Sequence, residues 1–527
     1  MGQMQRNWRR LLVIIACLCL LSVLALLVAN YVLPSRVIGF IRNRSTQIAK
    51  ERFHADVQFG TFDISLDFPR LVISCKNVAL SRRYDDRDAT SLIFIKELAV
   101  DANLIAFLRT PAHIRRIQLT GMDIHVPPRG QKGPKVESTP TKQHYPVVID
   151  HLECDNCQLN ILPKRADKNP LQFEIHRLTM QKVGLGRSAP YQATLTNAVP
   201  KGEIQVFGQF GPWQPDEPSL TQLSGDYTFK HADLNPFPGI AGTLDSKGRF
   251  QGLLERIVAD GETTTPDFAL DVSDQPVSLT TQFHAIIDGT SGDTALDPVK
   301  AQFLNSHIVA NGGVFGLPGK KGKAVLLDVV VDPGRLEDML HLGVKSRVPA
   351  MTGNLKFHTK LAIPPGTSKI SDRLRLDGRF VSTATRPTSL EIQNKLKQLS
   401  RRAEGKPKDE SAGSDTFDLK GQFLLADGIA SFPKLNFSIP GARLDLNGDY
   451  RLHSEELAFF GTLHLDASLS HTTTGMKSFF LRAVDPFFKD KKGGSALPIK
   501  ITGKREKPQF GLALHKSKDR GKSKLGE

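Results

Sequence analysis

Apolar and polar residues alternate with a period of two through most of the chain after residue 55. The clearest alternating segments are residues 57–68, 277–287, 355–363, 374–376, 435–439, 444–446, 463–465 and 497–501. Strict alternation is typical of strands with one apolar and one solvated face, as in antiparallel sheets. The sequence therefore predicts a mainly β protein of about twenty strands.

One group of alternating residues in the C-terminal part of the chain is predicted to lie on a single surface. Side chains two positions apart in a strand point to the same side of the sheet. The group consists of Leu435, Phe437, Ile439, Leu444, Leu446, Leu463 and Leu465.

Six Asp-Gly and Asn-Gly pairs between or beside the alternating segments predict tight turns. These two dipeptides supply the positive φ angles that a two-residue hairpin turn requires. The pairs are Asp260-Gly261, Asp288-Gly289, Asn311-Gly312, Asp377-Gly378, Asp427-Gly428 and Asn447-Gly448.

Helical periodicity is rare in this chain. Short helices are predicted at residues 335–343, 389–405 and 475–488, the second with Ile392, Leu396 and Leu399 on one face and ending at Gly405. Residues 129–143 contain almost no core-forming side chains and predict a flexible loop.

The N-terminal part begins with a basic run that is followed by 23 uncharged, mostly apolar residues, 11–33. This length suits a transmembrane helix, because about 20 apolar residues cross a bilayer. A cleavable signal peptide is the alternative, but its apolar region is usually shorter and the best cleavage site here is poor. The basic run before the span predicts a cytoplasmic N-terminus and a periplasmic bulk.

Residues 33–53 follow the span and combine apolar with basic residues at helical spacing. They predict an amphipathic helix, either on the membrane surface or packed on the first strands. The chain is then divided into a cytoplasmic N-terminus (1–10), a transmembrane helix (11–33), a helix with a β section (34–128), a loop (129–143), a β region (144–515) and a basic, disordered tail (516–527).

The formal net charge of +16 is partly local, in the Lys-rich tail, and the remaining basic residues are dispersed through the alternating strands. No nucleic-acid-binding signature accompanies them, which argues against nucleic acid as a partner. The Lys-rich tail is interpreted as a solvated end or as a contact with anionic lipid.

Two of the five cysteines, Cys154 and Cys157, form a C-x-x-C sequence in a predicted strand bend. Outside the cytoplasm a structural disulfide is the leading interpretation. A thioredoxin-like site would need a helix after the first cysteine, whereas the sequence predicts a strand here. A zinc site that includes His151 and Glu153, or a pair of unbonded thiols, would also fit the spacing.

Known catalytic signatures are missing from the sequence. It contains no H-E-x-x-H, G-x-S-x-G, phosphate-binding loop or dinucleotide fingerprint. Carboxylates beside glycines are more typical of turns than of a glycosidase pair. We therefore expect no enzymatic activity, no cofactor and no metal.

Several segments resemble the AsmA-like family of inner-membrane-anchored periplasmic proteins. The resemblance is carried by residues 223–270, where GETTTPDFAL is the most specific element, and by DGTSGDT (288–294), GNLKFHTKLAIPPG (353–366), FPKLNFSIPGARLDLNGDY (432–450), VDPFF (484–488), and PIKITG with KPQFGL (498–512). The anchor, short helix and HADVQFGTFDISLDFP are also similar to the N-terminal arrangement of that family.

The resemblance implies an elongated, twisted antiparallel sheet that forms an open apolar groove. It also implies transport of phospholipid toward the outer membrane and support of envelope integrity, with phospholipid, the inner membrane and an envelope protein as partners. The seven residues from Leu435 to Leu465 named above would then line the groove. Two further functions stay open: a scaffold for outer-membrane proteins that uses exposed sheet edges, and an envelope hydrolase.

Overall fold

The computed structural model describes residues 56–513 together with Gly39 and Asn43, except for residues 83–89, 108, 110, 127–146, 162–170, 185, 213, 215–217, 319, 321, 469–493 and 506. Strands account for 69% of the structure, so the predicted mainly β fold is confirmed. The predicted transmembrane helix, the loop at 129–143, the helix at 475–488 and the tail lie outside the described residues, as does the helix at 33–53 apart from two positions. Within the described part, no helix has the length and apolar character of a membrane span.

The described part of the chain contains 24 strands. They are β1 (Asp56–Asp67), β2 (Arg70–Arg82), β3 (Thr90–Asn103), β4 (Ala112–Val126), β5 (Val147–Ile161), β6 (Leu171–Gly184), β7 (Ala189–Ala198), β8 (Lys201–Phe210), β9 (Gln222–Asp233), β10 (Ile240–Ala241), β11 (Thr243–Leu253), β12 (Arg256–Leu270), β13 (Val277–Ile287), β14 (Thr294–Phe303), β15 (Ser306–Gly316), β16 (Lys323–Arg335), β17 (Met351–Ile363), β18 (Arg375–Pro387), β19 (Phe417–Ala426), β20 (Ile429–Ile439), β21 (Ala442–Arg451), β22 (Glu456–Leu465), β23 (Ser495–Lys504) and β24 (Lys507–Leu512).

Four α-helices and one short 3-10 helix interrupt the described strands. The α-helices are α1 (Leu104–Phe107), α2 (Leu336–Gly343), α3 (Ile370–Arg373) and α4 (Leu390–Ala403), and the 3-10 helix is Pro218–Leu220. The predictions at 335–343 and 389–405 are confirmed by α2 and α4. The structure adds α1 and α3, which have only four residues each and are too short to show helical periodicity in the sequence.

The chain forms two compact units, which are described separately. Unit 1 comprises Met1–Thr228 with Phe250–Ile257, and unit 2 comprises Phe229–Arg249 with Val258–Glu527. Strands β1 to β8 belong entirely to unit 1 and strands β13 to β24 entirely to unit 2.

In unit 1, neighbouring strands from β1 to β8 pair in chain order, and β4 with β5 is the parallel pair among them. The purely antiparallel sheet that the sequence predicts is therefore wrong at this point, and the sheet is mixed. Parallel neighbours need a crossover of a dozen or more residues. The 20 residues between Val126 and Val147 are long enough to provide it.

The core of unit 1 is built from one face of this sheet. The buried side chains are Leu71, Ile73, Cys75, Val78, Ile95, Leu119, Cys154 and Cys157. Cross-strand register explains why they meet: Cys75 pairs with Leu98, Leu98 with Leu119, and Leu119 with Cys154. Paired residues lie on the same face, so the row crosses four strands without a polar side chain.

In unit 2, the strands from β13 to β24 form an uninterrupted antiparallel series in chain order. Register shifts occur in β13–β14, β14–β15, β16–β17, β17–β18, β18–β19, β19–β20 and β20–β21. Such bulges bend a strand and increase the local twist of the sheet. The bulge between Phe432 and Leu435 also keeps these two residues on the same face.

The predicted turns have mixed outcomes. Asp288-Gly289 and Asp427-Gly428 lie between strands, and both residues of the second pair have positive φ, 51° and 73°. The other four pairs were predicted as turns wrongly, because the structure places them inside strands. They are Asp260-Gly261 in β12, Asn311-Gly312 in β15, Asp377-Gly378 in β18 and Asn447-Gly448 in β21.

Close approach between strands is the reason for the glycines at these interior positions. A Cβ atom at Gly378 would lie 2.6 Å from the carbonyl oxygen of His358 and 2.7 Å from the Phe423 ring. At Gly448, where φ is +156°, it would lie 2.2 Å from the carbonyl oxygen of Ala458. Glycine inside a strand marks places where another backbone or side chain comes too near for a Cβ atom.

Candidate functional site

A row of paired residues crosses all twelve strands of the β13–β24 series on one face of unit 2. Each member is the direct cross-strand partner of the next, so all of them point to the same side of the sheet. The row is Thr281, Ala301, Ile308, Val331, Phe357, Phe380, Gly421, Leu435, Leu446, Gly461, Ile499 and Leu512. We refer to these residues as the apolar row. At about 4.8 Å per strand, the row extends for roughly 50 Å along the sheet.

The apolar row is only partly shielded from solvent by the described residues. Val331 is buried, with 1% of its surface exposed, but Phe357, Phe380, Leu435, Leu446 and Ile499 are half-buried and Leu512 is exposed. A sheet in an ordinary domain buries its apolar face against a second layer. Along most of the row, no described layer of the protein completes this burial.

The seven residues that the sequence predicts on one surface do share the face of the apolar row. Leu435 pairs with Leu446, and the neighbouring cross-strand line runs from Phe437 through Leu444 to Leu463. Ile439 pairs with Ala442, and Ala442 pairs with Leu465. Contact between a lipid ligand and these side chains stays a prediction.

Helix α4 divides the seven residues into a covered and an uncovered group. A buried cluster of Ala403, Phe417, Ile439, Ala442 and Leu465 contacts Leu396 and Leu399 of the helix, together with Phe437 and Leu463. Leu435, Leu444 and Leu446 lie outside that cluster and are half-buried. The uncovered stretch of the apolar face therefore begins beside the helix.

Hydrogen bonds hold the C-terminal end of α4 against the sheet beside the uncovered part of the apolar face. The Ser400 hydroxyl donates to the Pro440 carbonyl at 2.9 Å, in the β20–β21 turn. The Ala467 amide donates to the Ala403 carbonyl at 2.9 Å. Ser400 and Ala403 are both fully buried, so the C-terminal end of α4 is firmly packed against the sheet.

Aromatic rings pack over glycines in the central strands of the apolar face. Phe423 pairs with Gly378, and Phe380 pairs with Gly421, so each ring lies opposite a residue without a side chain. Phe357 stacks on Phe423 with ring centroids 5.3 Å apart. Because glycine leaves room for the rings to lie along the sheet, this part of the face is smooth and consists mostly of hydrocarbon.

The opposite face of the same strands carries most of their charged side chains, together with several exposed apolar ones. The exposed apolar residues on this face are Val309, Leu326, Val330, Val381, Leu424 and Phe460. Asn436 donates to Asp445 at 2.5 Å, Arg443 pairs with the same carboxylate at 3.2 Å, and His358 contacts Asp328 at 2.8 Å. A cleft of about 460 Å³ is lined mostly by side chains of this face, including Lys360 and Asp377. No serine, threonine or cysteine lines it, so the imidazole of His358 has no hydroxyl or thiol nucleophile within that cleft.

Cys154 and Cys157 form a disulfide within β5, as the leading interpretation of the C-x-x-C sequence predicts. Residues three apart in a regular strand point to opposite faces. Here Asn156, with φ of +53°, has no cross-strand partner in β6, and this local bend brings the two sulfurs together. Because both sulfurs are bonded to each other, neither is a free thiolate ligand for zinc.

Three groups with shifted pKa values lie in unit 1: Cys75, Asp101 and Tyr191. Burial raises the pKa of Tyr191 to about 12. Burial, with a smaller contribution from the Asp63 carboxylate, raises the pKa of the Cys75 thiol to about 11. Hydrogen bonds from Arg115, at 2.6 Å to both oxygens, hold the pKa of Asp101 below its ordinary value. None of the three groups lies on the apolar row. Among the described residues, no three His, Cys, Asp or Glu side chains assemble a metal site.

The apolar face extends beyond the seven residues that were named from the sequence. Val331, Phe357, Phe380 and Ile499 also belong to it, and alternation in residues 355–363 and 497–501 was the available signal. The pairing partner of each strand could not be read from that alternation. Gly421 and Gly461 were missed because a glycine carries no apolar side chain.

Comparison of the chain with family models, with curated proteins and with solved structures finds no match. What the fold and the site define is a class: a mainly β protein whose sheet in unit 2 carries a partly uncovered apolar face on one side and most of its charged side chains on the other.

Proposed function

We propose that this protein binds phospholipid through the apolar row of unit 2 and transfers it between membranes of the cell envelope. The observation that carries the proposal is the apolar row itself, which crosses twelve strands and stays half-buried along most of its length. A long apolar face that stays partly exposed is unusual in monomeric proteins and marks a ligand or partner site. The proposed activity is binding and transfer, without a chemical step.

An acyl chain is the ligand that matches this surface best. Leu435, Leu444 and Leu446 offer methyl groups, the Phe rings offer flat hydrocarbon, and no charged side chain belongs to the row. Burial of apolar surface contributes about 0.8 kcal/mol per methylene group. A chain of about 16 carbons laid along the row would then gain on the order of 10 kcal/mol.

The charged opposite face would keep the sheet soluble while the apolar face holds lipid. Alternation makes this arrangement automatic, since every second residue of each strand points to water. Such a sheet presents one surface to the hydrocarbon and leaves polar head groups at its open side. The elongated groove implied by the AsmA-like resemblance is part of this proposal.

We further propose that residues 11–33 anchor the protein in the inner membrane and that the β units lie in the periplasm. The disulfide between Cys154 and Cys157 supports this location, since structural disulfides persist in oxidising compartments and are rare in the cytosol. The basic run before residue 11 supports a cytoplasmic N-terminus. Transfer would then proceed toward the outer membrane and support envelope integrity.

Native mass spectrometry of the full chain, released gently from detergent, tests lipid occupancy. We expect adducts with the masses of phospholipids, and we expect them to be lost when Leu446 and Leu435 are both replaced by Asp. A matched variant, Val309→Asp, changes an exposed residue of the opposite face and should keep the adducts. If the wild-type protein carries no phospholipid, or if the Val309 variant loses it equally, lipid binding at the row is refuted.

Exposed backbone at a sheet edge favours one second candidate, a scaffold for envelope proteins. Strand β24 pairs only with β23 among the described strands, so on its other side it has no described strand as neighbour. Edge strands recruit partners through main-chain hydrogen bonds. This candidate predicts a bound protein and unoccupied apolar residues in the same mass spectrum, which separates it from lipid transfer.

A further inference from the structure

Three exposed aliphatic residues lie close together at the end of unit 2 that α4 covers. Leu390 and Ile392 are in the first turn of α4, with 73% and 49% of their surface exposed. Val348, 61% exposed, is in the segment 344–350 before β17. Two hydrogen bonds join that segment to the start of the helix: Thr388 donates through its amide to Ala350 and through its hydroxyl to Pro349.

Basic side chains surround these aliphatic residues. The segments 344–350 and 390–403 together contain six Lys and Arg residues and one acidic residue, Glu391. Glu391 pairs with Lys395 at 2.6 Å. No carboxylate of the described residues forms a salt bridge with the remaining cations of the outer surface, which are Lys345, Arg347, Lys397 and Arg402. We refer to these two segments as the basic apolar patch.

The inner side of α4 packs on the sheet, so the basic apolar patch is not the packing face of the helix. Leu396, Leu399 and Ala403 contact the buried cluster beneath the helix. Leu390 and Ile392 extend past that contact into solvent. Exposed leucine and isoleucine side chains in the first turn of a well-anchored helix contribute little to folding, which indicates an intermolecular role.

We propose that the basic apolar patch docks on the surface of a membrane that contains anionic phospholipid. Lys and Arg side chains would contact lipid phosphates while Leu390, Ile392 and Val348 enter the upper acyl region. The two segments contain no aromatic residue, whereas protein interfaces are enriched in Tyr, Trp and Phe. Their charge and composition therefore favour a lipid surface over a protein partner.

This surface differs from the apolar row. The row would hold single acyl chains on one face of the sheet, while the patch would hold the protein against a bilayer. Since the patch stands at the end where the uncovered face begins, docking would bring a bilayer to the opening of the row. The proposal itself needs only the patch and holds even for a protein whose row is empty.

The test uses the full chain reconstituted in nanodiscs of phosphatidylcholine, so that the proposed anchor, residues 11–33, is already in a bilayer and does not itself bind the vesicles. Nanodiscs are mixed with vesicles of phosphatidylcholine alone or with added phosphatidylglycerol, and bound protein is measured by flotation. We expect binding to the phosphatidylglycerol vesicles at about 0.1 M salt and its loss at about 1 M salt, where charge interactions are screened within about 3 Å.

Variants separate the patch from other basic parts of the chain. Each basic residue near an anionic surface changes binding about fivefold, so Lys397→Gln with Arg402→Gln should weaken it by roughly 25-fold. Lys420→Gln with Lys434→Gln removes the same charge from the polar sheet face and should have little effect. Leu390→Asp should weaken binding by roughly tenfold, whereas Leu326→Asp, at another exposed leucine outside the patch, should not.

Three results would overturn the proposal. One is equal binding of the wild-type protein and the Lys397/Arg402 variant, and another is binding that does not depend on phosphatidylglycerol. The third is a lowered melting temperature of the Leu390→Asp protein, since this would show that the patch is covered by the chain itself. Phospholipid adducts in the mass spectrum of the patch variants should be unchanged, which distinguishes a failure here from a failure of lipid binding at the row.

Discussion

A single negative charge on the apolar face distinguishes a lipid-binding surface from an ordinary core. The informative substitution is Leu446→Asp, compared with Val331→Asp on the same row. Leu446 is half-buried, and one of its two cross-strand partners, Gly461, has no side chain to pack against it. Val331 has 1% of its surface exposed and is among the most buried side chains of the protein.

The expected magnitudes follow from this difference in burial. Complete burial of a leucine contributes about 1.5–3 kcal/mol, so the loss at half-buried Leu446 is about 1 kcal/mol. Water reaches the new carboxylate, which therefore adds little to this loss. At Val331, an unpaired buried charge costs several kcal/mol in addition to the lost packing. Typical domains have only about 5–15 kcal/mol of stability, so Val331→Asp should unfold unit 2.

Thermal unfolding monitored by circular dichroism measures the first part of this prediction. For a domain of this size, about 1 kcal/mol corresponds to about 2–4 °C, so Leu446→Asp should melt within about 5 °C of the wild type. The same sample should contain less copurifying phospholipid than the wild type. Equal and large losses of stability at both positions would instead show that Leu446 belongs to a closed core.

Three further predictions concern topology, the disulfide and the strand glycines. Alkaline phosphatase fused after Leu514 should be active, since the N-terminal basic run predicts a periplasmic C-terminal part; an inactive fusion in membranes that contain the protein would contradict this. In the denatured protein, reduction should expose two more maleimide-reactive thiols, those of Cys154 and Cys157, and their replacement by Ser should lower stability by about 2 kcal/mol; no gain in labelling on reduction would show that the bond is absent. Gly378→Ala should destabilise the protein by about 1–3 kcal/mol through its contacts with the neighbouring strands, whereas Gly343→Ala, which has no atom within 4 Å of the added Cβ, should be close to neutral; equal melting temperatures would refute the packing argument.

Much of the fold was accessible from the sequence because alternation reports strands directly. Segments such as 277–287, 435–439 and 497–501 are strands in the structure. Helix α4 begins and ends within two residues of the bounds predicted from its helical periodicity. The parallel pairing of β4 with β5 was not accessible. Alternation is identical in parallel and antiparallel strands of this kind, so only the long connection between them could have suggested it.

The interior Asp-Gly and Asn-Gly pairs show where local rules fail. Asp427-Gly428 and Asp377-Gly378 look alike in the sequence, yet the first is a turn and the second lies in β18. The difference is made by residues far away in the chain, since the ring of Phe423 and the backbone at His358 occupy the space beside Gly378. Tertiary contacts of this kind leave no trace in a window of a few residues.

The candidate site was predictable in its chemistry but not in its extent. Leu435 and Leu446 were expected on one face, and register places them there. The cover that α4 provides over Ile439 and Leu465 could not be inferred, because packing of a helix against a sheet is not encoded in the period of either element. The ring of Phe437 packs on that of Phe417, with the ring centroids 4.6 Å apart. Phe437 is therefore a weaker position than Leu446 for testing lipid contact.

Photo-crosslinking in cells tests lipid contact at the apolar row most directly. A photoreactive amino acid at Leu446 points to the apolar face, and the same residue at neighbouring Asn447 points to the opposite, exposed face. After irradiation, the lipid binding proposed here predicts a covalent phospholipid adduct at position 446 and none at position 447. Adducts at both positions, or at neither, would contradict the claim that this face of unit 2 holds phospholipid.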